Sequence, residues 1–244
     1  MNIILFDGDG FFPPRDPRYL HIKKILRKNA GDSFRCGMRN GPEGTAFIRS
    51  LDEQGLRFDF TPERPMRPLF PAHLIIGFPR PIQLKRLLRD VASLGVSSVT
   101  LTGTELGEKS YRDSTLVDRG AAAAALEEGC VQAGGTAIPR LEMTDTLKEA
   151  VALYSAFPSA GILLDTAGSA GGLLKAPLAG ITAENPLVMA IGSERGWTAG
   201  ERAFFAESGY RTYSLGPRIL RTETAATAAI ALALAGAGFW EETR

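Results

Sequence analysis

The chain has 244 residues, 44% of them hydrophobic, and sets 28 Lys and Arg against 27 Asp and Glu for a formal net charge of +1. This suits one large or two small packed domains, and it neither demands nor excludes nucleic acid, because binding follows where charge is placed. Two distant cysteines without a CxxC (Cys36, Cys130) and only two histidines (His21, His73) argue against a zinc site, a disulfide framework or a histidine-rich metal centre.

The chain opens on a short apolar run, Met1 to Phe6, followed by Asp7-Gly8-Asp9-Gly10, which is not the charged n-region and long h-region of a signal peptide. The apolar stretch 225–235 is only about half of what a bilayer span needs. A soluble, cytoplasmic protein with no membrane partner is expected.

Up to about residue 62, β-like runs at 3–6, 33–38, 45–50 and 56–60 are separated by Gly, Pro and Asp signals. They predict a small barrel-like domain with one inserted helix near 17–28, whose apolar side is Leu20, Ile22, Ile25 and Leu26. The stretch 15–39 is basic. Arg15, Arg18, Lys23, Lys24, Arg27, Lys28, Arg35 and Arg39 face only Asp16 and Asp32, either as a solvated helix face or as an electrostatic footprint. The proline-rich run 62–68 reads as a linker.

From His73 onward strands and helices alternate, which predicts a parallel sheet covered on both faces. Strands are expected at 73–78, 96–103, 161–165, 187–192 and 211–215. A helix opening at Pro81 carries Leu84, Leu87, Leu88, Val91 and Leu94 at helical spacing and ends at Gly95. Further helices are expected at 116–132, 145–157, 198–208 and 222–235.

Ligands of open α/β sheets sit beyond the carboxyl ends of the strands. Three such ends are unusual: GILLDTAGSAGG (161–172), MAIGSERGWTAGE (189–201) and SLGPRILRTETA (214–225). None carries GxGxxG or GxxxxGK[ST] behind a strand, which argues against the usual dinucleotide and triphosphate cradles. Each loop also has a purely local reading. Gly192 and Gly196 suit positive-φ turns, Thr198 with Glu201 forms a capping box, and Thr222 caps the last helix with Glu223 in its first turn. Those readings leave Arg218 and Arg221 without a role.

A strand ending in Ile-Gly-x-Glu-x-Gly, then a helix, then a strand ending in Leu-Gly-Pro-Arg-Ile-Leu-Arg-Thr-Glu-Thr-Ala resembles the ribosomal RNA small subunit methyltransferase E family. These are knotted enzymes of the SPOUT class that methylate N3 of a uridine in 16S ribosomal RNA with S-adenosylmethionine. HIKKILRKNAGD (21–32) is similar to the family's opening helix, and the resemblance spans essentially the whole chain. It implies an α/β protein: a small N-terminal PUA-like β-barrel domain, 1–65, then a SPOUT-type α/β domain with a C-terminal trefoil knot, 72–244. It also implies a homodimer that acts on 16S rRNA in the 30S ribosomal subunit.

The resemblance further implies that S-adenosylmethionine is held by Leu164, by Ile191, Gly192, Glu194 and Gly196, and by Leu215, Gly216, Ile219, Leu220 and Thr224. Arg218 and Arg221 are candidates for holding a phosphate or the uracil anion, since arginine stays charged and offers a planar fork. Glu223 or Glu194 orients an arginine or takes the N3 proton. Arg15, Arg18, Lys23, Lys24, Arg27 and Lys28 are the candidate RNA-binding residues, and 225–235 becomes the knotted helix, buried on most sides, part of it by a second subunit.

Two departures stand out. Gly192-Ser193-Glu194-Arg195-Gly196 replaces Gly-Pro-Glu-Gly-Gly, so Arg195 intrudes where bare backbone is expected. Val131-Gln132-Ala133-Gly134-Gly135 replaces Glu-Gln-Ser-Gly-Arg, losing an arginine. They leave open a SPOUT methyltransferase with another RNA target, or a catalytically inactive RNA-binding or ribosome-assembly factor whose cofactor turn Arg195 blocks.

Overall fold

The computed structural model describes residues 2–114, 118–157 and 161–241. The chain folds as two compact units: Met1–Pro68 with Cys130–Ile138, and Leu69–Gly129 with Pro139–Arg244.

The first unit is a five-stranded sheet of β1 (Ile4–Phe6), β2 (Phe11–Phe12), β3 (Ser33–Met38), β4 (Glu43–Asp52) and β5 (Gly55–Arg64), in the order β1-β3-β4-β5-β2. Only the β1–β3 pair is parallel. Alternation decides which face is buried. Ala46 and Ile48 are fully buried while Phe47 and Arg49 of the same strand face outward. Inside, Phe58 meets Phe6, Phe12 and Phe34 at ring distances of 5.2, 5.1 and 5.4 Å. Cys36 lies in this core, and desolvation pushes its thiol up to about 12, which makes it chemically inert.

The inserted helix differs from expectation. It has one α-turn, α1 (Pro17–Leu20), then a π-helical turn over His21–Ile25, and it ends at Arg27 in the left-handed region (φ 52°). The π turn, in which Leu26 N–H donates to His21 C=O, rotates the apolar side. Tyr19 and Ile22 are therefore buried, while Leu20, Ile25 and Leu26 are exposed.

Residues 130–138 are tied to this unit by Asn2 N–H donating to Val131 C=O, Thr136 Oγ1 to Gly41 C=O at 2.6 Å, and Ile138 N–H to Asn40 Oδ1 at 2.9 Å. The expected linker is shorter than its prolines suggest. β5 runs to Arg64 through Pro62, beside a register shift in its pairing with β4.

The second unit is built on an all-parallel sheet of β6 (Phe70–Gly77), β7 (Val96–Thr102), β8 (Arg140–Thr144), β9 (Ile162–Leu164), β10 (Leu187–Ile191) and β11 (Arg211–Tyr213), in the order β11-β9-β10-β6-β7-β8. Its helices are α2 (Pro81–Ser93), α3 (Lys109–Arg112), α4 (Arg119–Ala133, whose last four residues belong to the first unit), α5 (Leu147–Ala152), α6 (Ala199–Glu207) and α7 (Thr222–Gly236). The expected start of α4 at 116 lies outside the described residues.

Ile75, Leu163, Val188 and Ala190 pack against α5, α6 and Trp197. Leu74, Ile76 and Met189, of opposite parity, are equally buried, as a sheet covered on both faces requires. His73 is held by Ser98 Oγ at 2.7 Å and stacks on Phe157 with ring centroids 5.5 Å apart.

α7 is less enclosed than its composition suggests. Thr222, Ala226, Ala229, Ile230, Ala233 and Leu234 are buried, whereas Leu232 on the opposite side is exposed. α7 also starts differently, because Arg221 is its N-cap without a side-chain bond and Thr222 is already its buried first residue.

Candidate functional site

The carboxyl ends of β9, β10 and β11 converge on a cavity of about 260 Å³. Leu164 and Ile191 end their strands against it, Gly192, Glu194 and Gly196 follow from β10, and Leu215, Gly216, Ile219 and Leu220 follow from β11. Of the ten expected cofactor-contacting residues only Thr224 is not brought there. It sits on the exposed side of α7, while Thr222 and Ala225, three residues apart, face the cavity.

Arg218 lines the cavity with Glu194, but Arg221 and Glu223 do not. Arg221 is exposed at the N-cap of α7, and Glu223 stands in its first turn.

The loop after β10 owes its shape to close approach. Gly196 N–H donates to Ser193 C=O at 2.9 Å, closing a tight turn, and Gly196 has φ 73°. Gly192 has no positive φ. Its requirement is space, since a Cβ there would stand 3.0 Å from the Gly196 backbone. Gly77, at the end of β6, supports the loop from behind, where a Cβ would lie 2.6 Å from Ser193 N.

Both charged residues of the loop are tethered. Glu194 Oε1 accepts from Arg80 N–H at 3.0 Å, and Arg195 Nη2 donates to Glu108 Oε1 at 2.5 Å. Beyond the turn, Thr198 and Glu201 form the expected capping box, and Glu201 is buried.

Asp165, Arg202 and Trp197 complete the wall, and sequence reasoning missed all three as site residues. Asp165 Oδ2 accepts from Arg202 Nε at 2.6 Å, and its Oδ1 accepts from Thr166 and Ala167 N–H at 2.7 and 3.1 Å. Trp197 Nε1 donates to Leu164 C=O at 3.2 Å. Asp165 had one visible signal, its place at the end of an apolar strand run. Arg202 had none, because its partner lies 37 residues away.

The cavity thus joins apolar walls (Leu164, Ile191, Leu215, Leu220) to two carboxylates, Asp165 and Glu194, and three guanidiniums, Arg195, Arg202 and Arg218. Such a set suits a ligand with a flat apolar ring, hydroxyls and charges of both signs. Ser193 Oγ, buried beside it, has no hydrogen-bond partner among the described residues.

The expected RNA-binding residues all lie in the first unit. Arg15, Lys24 and Arg27 are exposed and Lys28 is half-buried. Lys23 donates to Tyr19 Oη at 2.8 Å. Arg18 is occupied by the fold: it pairs with Asp16 at 2.6 Å, donates to Leu5 C=O at 2.9 Å, and lies 4.2 Å over the Phe12 ring. Its hydrogen bond also holds the Asp16 carboxyl below the usual carboxylate range.

Residues 65–234 match the RNA methyltransferase domain family. The ribosomal RNA small subunit methyltransferase E of Treponema pallidum (strain Nichols) is 43% identical, over 99% of this chain and 93% of that protein. Two solved structures share the fold. A Legionella pneumophila protein in complex with the bound cofactor SAM has a TM-score of 0.80 at 22% identity, covering 97% of this chain and 98% of its own. A ribosomal RNA small subunit methyltransferase E from Neisseria gonorrhoeae bound to S-adenosyl methionine has a TM-score of 0.76 at 20% identity, covering 96% and 97%. No helix among the described residues is long and apolar enough to cross a membrane. By its sequence along nearly the whole chain, this protein belongs to the ribosomal RNA small subunit methyltransferase E family.

Proposed function

We propose that the protein transfers a methyl group from S-adenosylmethionine to N3 of a uridine in 16S ribosomal RNA. The observation that carries this reading is the convergence of Leu164, Gly192–Gly196 and Leu215–Leu220 on one cavity at the carboxyl edge of the sheet, in a chain of this family.

The cofactor's adenine would lie between Leu164, Ile191, Leu215 and Leu220. Its sulfonium and ammonium charges would face Asp165 and Glu194, and Ile219, 89% exposed at the mouth, would gain burial against it. When bound, the cofactor supplies an activated methyl group for in-line displacement, so the protein's task is alignment and stabilisation of a deprotonated N3. Arg218, at the cavity, and Arg221, beside it in the chain, would stabilise the anion, and Glu194 or Glu223 would take the proton.

In the same reading, Met1–Pro68 is a PUA-like RNA-binding barrel in which Arg15, Lys23, Lys24, Arg27 and Lys28 meet phosphates. The second unit, Leu69–Gly129 with Pro139–Arg244, is a SPOUT domain knotted at its C-terminal end, in a cytoplasmic homodimer. The exposed Leu232 side of α7 supports a second subunit there. Tethering of Arg195 to Glu108 favours an active enzyme over an inactive assembly factor, since it anchors the guanidinium to another loop.

The test is incubation with 30S subunits lacking the modification and labelled S-adenosylmethionine, with mass spectrometry of the digested rRNA. N3-methyluridine in 16S rRNA is expected. Methylation of another base or RNA overturns the substrate assignment, and no transfer by a folded protein that binds the cofactor overturns the activity.

A further inference from the structure

The turn after β10 has two charged corner residues. Gly196 N–H donates to Ser193 C=O at 2.9 Å, and an isolated antiparallel bridge joins the same two residues, which leaves Glu194 and Arg195 side by side at the tip. The family resemblance puts a glycine at 195, so the arginine is this chain's own. It fits there without strain. The positive φ of the turn falls on Gly196, at 73°, and among the described non-glycine residues only Arg27 and Asn40 have one.

Both corner residues are aimed from outside the turn. Glu194 Oε1 accepts from Arg80 N–H at 3.0 Å, and Arg195 Nη2 donates to Glu108 Oε1 at 2.5 Å. Glu108 is free for this, because it is the N-cap of α3 yet its side chain makes no capping bond. Neither tether exhausts its group, since a carboxylate has about four lone-pair sites and a guanidinium five N–H donors. The Arg195 side chain stays 65% exposed on a residue that lines the cofactor cavity. The other guanidiniums there are placed differently. Arg202 is committed to Asp165 at 2.6 Å, and Arg218 comes from the separate loop after β11.

An α-amino acid carries its ammonium and its carboxylate on one carbon, so the groups that neutralise them must stand close together. Consecutive residues, with Cα atoms about 3.8 Å apart, meet that need, and Glu194 with Arg195 is the one such acid–base pair among the residues lining the cavity. We propose that this pair clamps the amino-acid end of S-adenosylmethionine, with Arg195 binding the carboxylate while Glu194 faces the ammonium. The inference rests on the methyltransferase reading and adds a specificity-determining contact to it. A guanidinium fork matches a carboxylate with two parallel charge-assisted N–H···O bonds. Glu108 is the positioning residue that aims the fork.

The test is calorimetric titration of full-length wild type, Arg195→Ala, Arg195→Lys and Glu108→Gln with two ligands. One is S-adenosylhomocysteine. The other is its decarboxylated analogue, S-adenosyl-3-thiopropylamine, which keeps the adenosine, sulfur and ammonium. Wild type should prefer S-adenosylhomocysteine by roughly tenfold. Arg195→Ala should lose that preference, binding S-adenosylhomocysteine roughly tenfold more weakly and the analogue within about twofold of wild type, and Arg195→Lys should recover part. Glu108→Gln should lose about threefold for S-adenosylhomocysteine alone, because the fork is no longer aimed. In methylation of 30S subunits, Arg195→Ala should raise KM for S-adenosylmethionine roughly tenfold with kcat within about threefold. Equal losses for both ligands would mean that Arg195 only shapes the turn, and would overturn the clamp. Undiminished S-adenosylhomocysteine affinity in Arg195→Ala overturns it as well. A wild type that shows the ligand preference but transfers no methyl group overturns the proposed function and leaves the clamp standing, since the clamp is read from binding.

Discussion

Glu194 reaches 114 residues back along the chain to Arg80: its Oε1 accepts from the Arg80 backbone N–H at 3.0 Å, with the Arg80 Nε 3.6 Å away. One carboxylate thus docks the loop after β10 onto the start of α2. Glu194→Ala should free the loop and weaken S-adenosylhomocysteine binding roughly tenfold, about 1.4 kcal/mol, whereas Glu194→Gln, which keeps an acceptor, should lose about threefold. Calorimetric titration of both variants checks this.

Gly77→Ala places a methyl group 2.6 Å from Ser193 N, a backbone atom that cannot swing aside. Overpacking of this kind costs about 1–3 kcal/mol. A lower thermal midpoint and weaker cofactor binding should appear together, because the displaced atom belongs to the loop that lines the cavity.

Asp165→Asn keeps the side-chain shape but removes the charge that faces Arg202 at 2.6 Å. The Asp165 side chain is 9% exposed and that of Arg202 is 35% exposed, so water screens the stranded guanidinium only in part. A loss of about 1–3 kcal/mol in urea unfolding is expected, below the full penalty for a wholly buried pair. Cofactor affinity should fall as well.

Acid should destabilise the second unit through His73. Burial is the larger cause and Arg140 the lesser one in depressing its pKa to about 4 from 6.5. Above pH 6.5 both folded and unfolded forms are neutral there and the full stability is present. As pH falls toward about 4 the unfolded chain takes up a proton that the folded one refuses, so up to about 3 kcal/mol is lost, and below that no more. His73→Gln should flatten the stability profile between those limits relative to wild type.

Trp197 is buried against the cavity and Trp240 is half exposed near the C-terminal end. In a Trp240→Phe background, S-adenosylhomocysteine should change the emission of Trp197 saturably, with a midpoint equal to the calorimetric Kd. Unchanged emission at saturation would place the ligand elsewhere.

Much of the fold is legible locally. Leu74–Ile76 and Leu187–Ile191 read as continuous apolar runs because a parallel strand covered on both faces has no polar side. The Thr198–Glu201 capping box spans three residues and is visible in the same way. β8, half-buried at its edge with Arg140 and Glu142 in it, carries no such run and escaped notice. The inserted helix misled because a helical apolar pattern assumes 3.6 residues per turn, and the π turn at His21–Ile25 breaks that assumption.

By itself, the sequence determined the alternating α/β order, the three loops that carry the site and, through LGPRILRTETA, the family. Tertiary structure alone decided which side chains face the cavity, the pairing of Asp165 with Arg202 and of Arg195 with Glu108, and the placement of 130–138 in the first unit. The reason is range: helix periodicity and capping act between residues a few positions apart, whereas ion pairs across 37 and 87 residues exist only once the sheet has set the loops side by side.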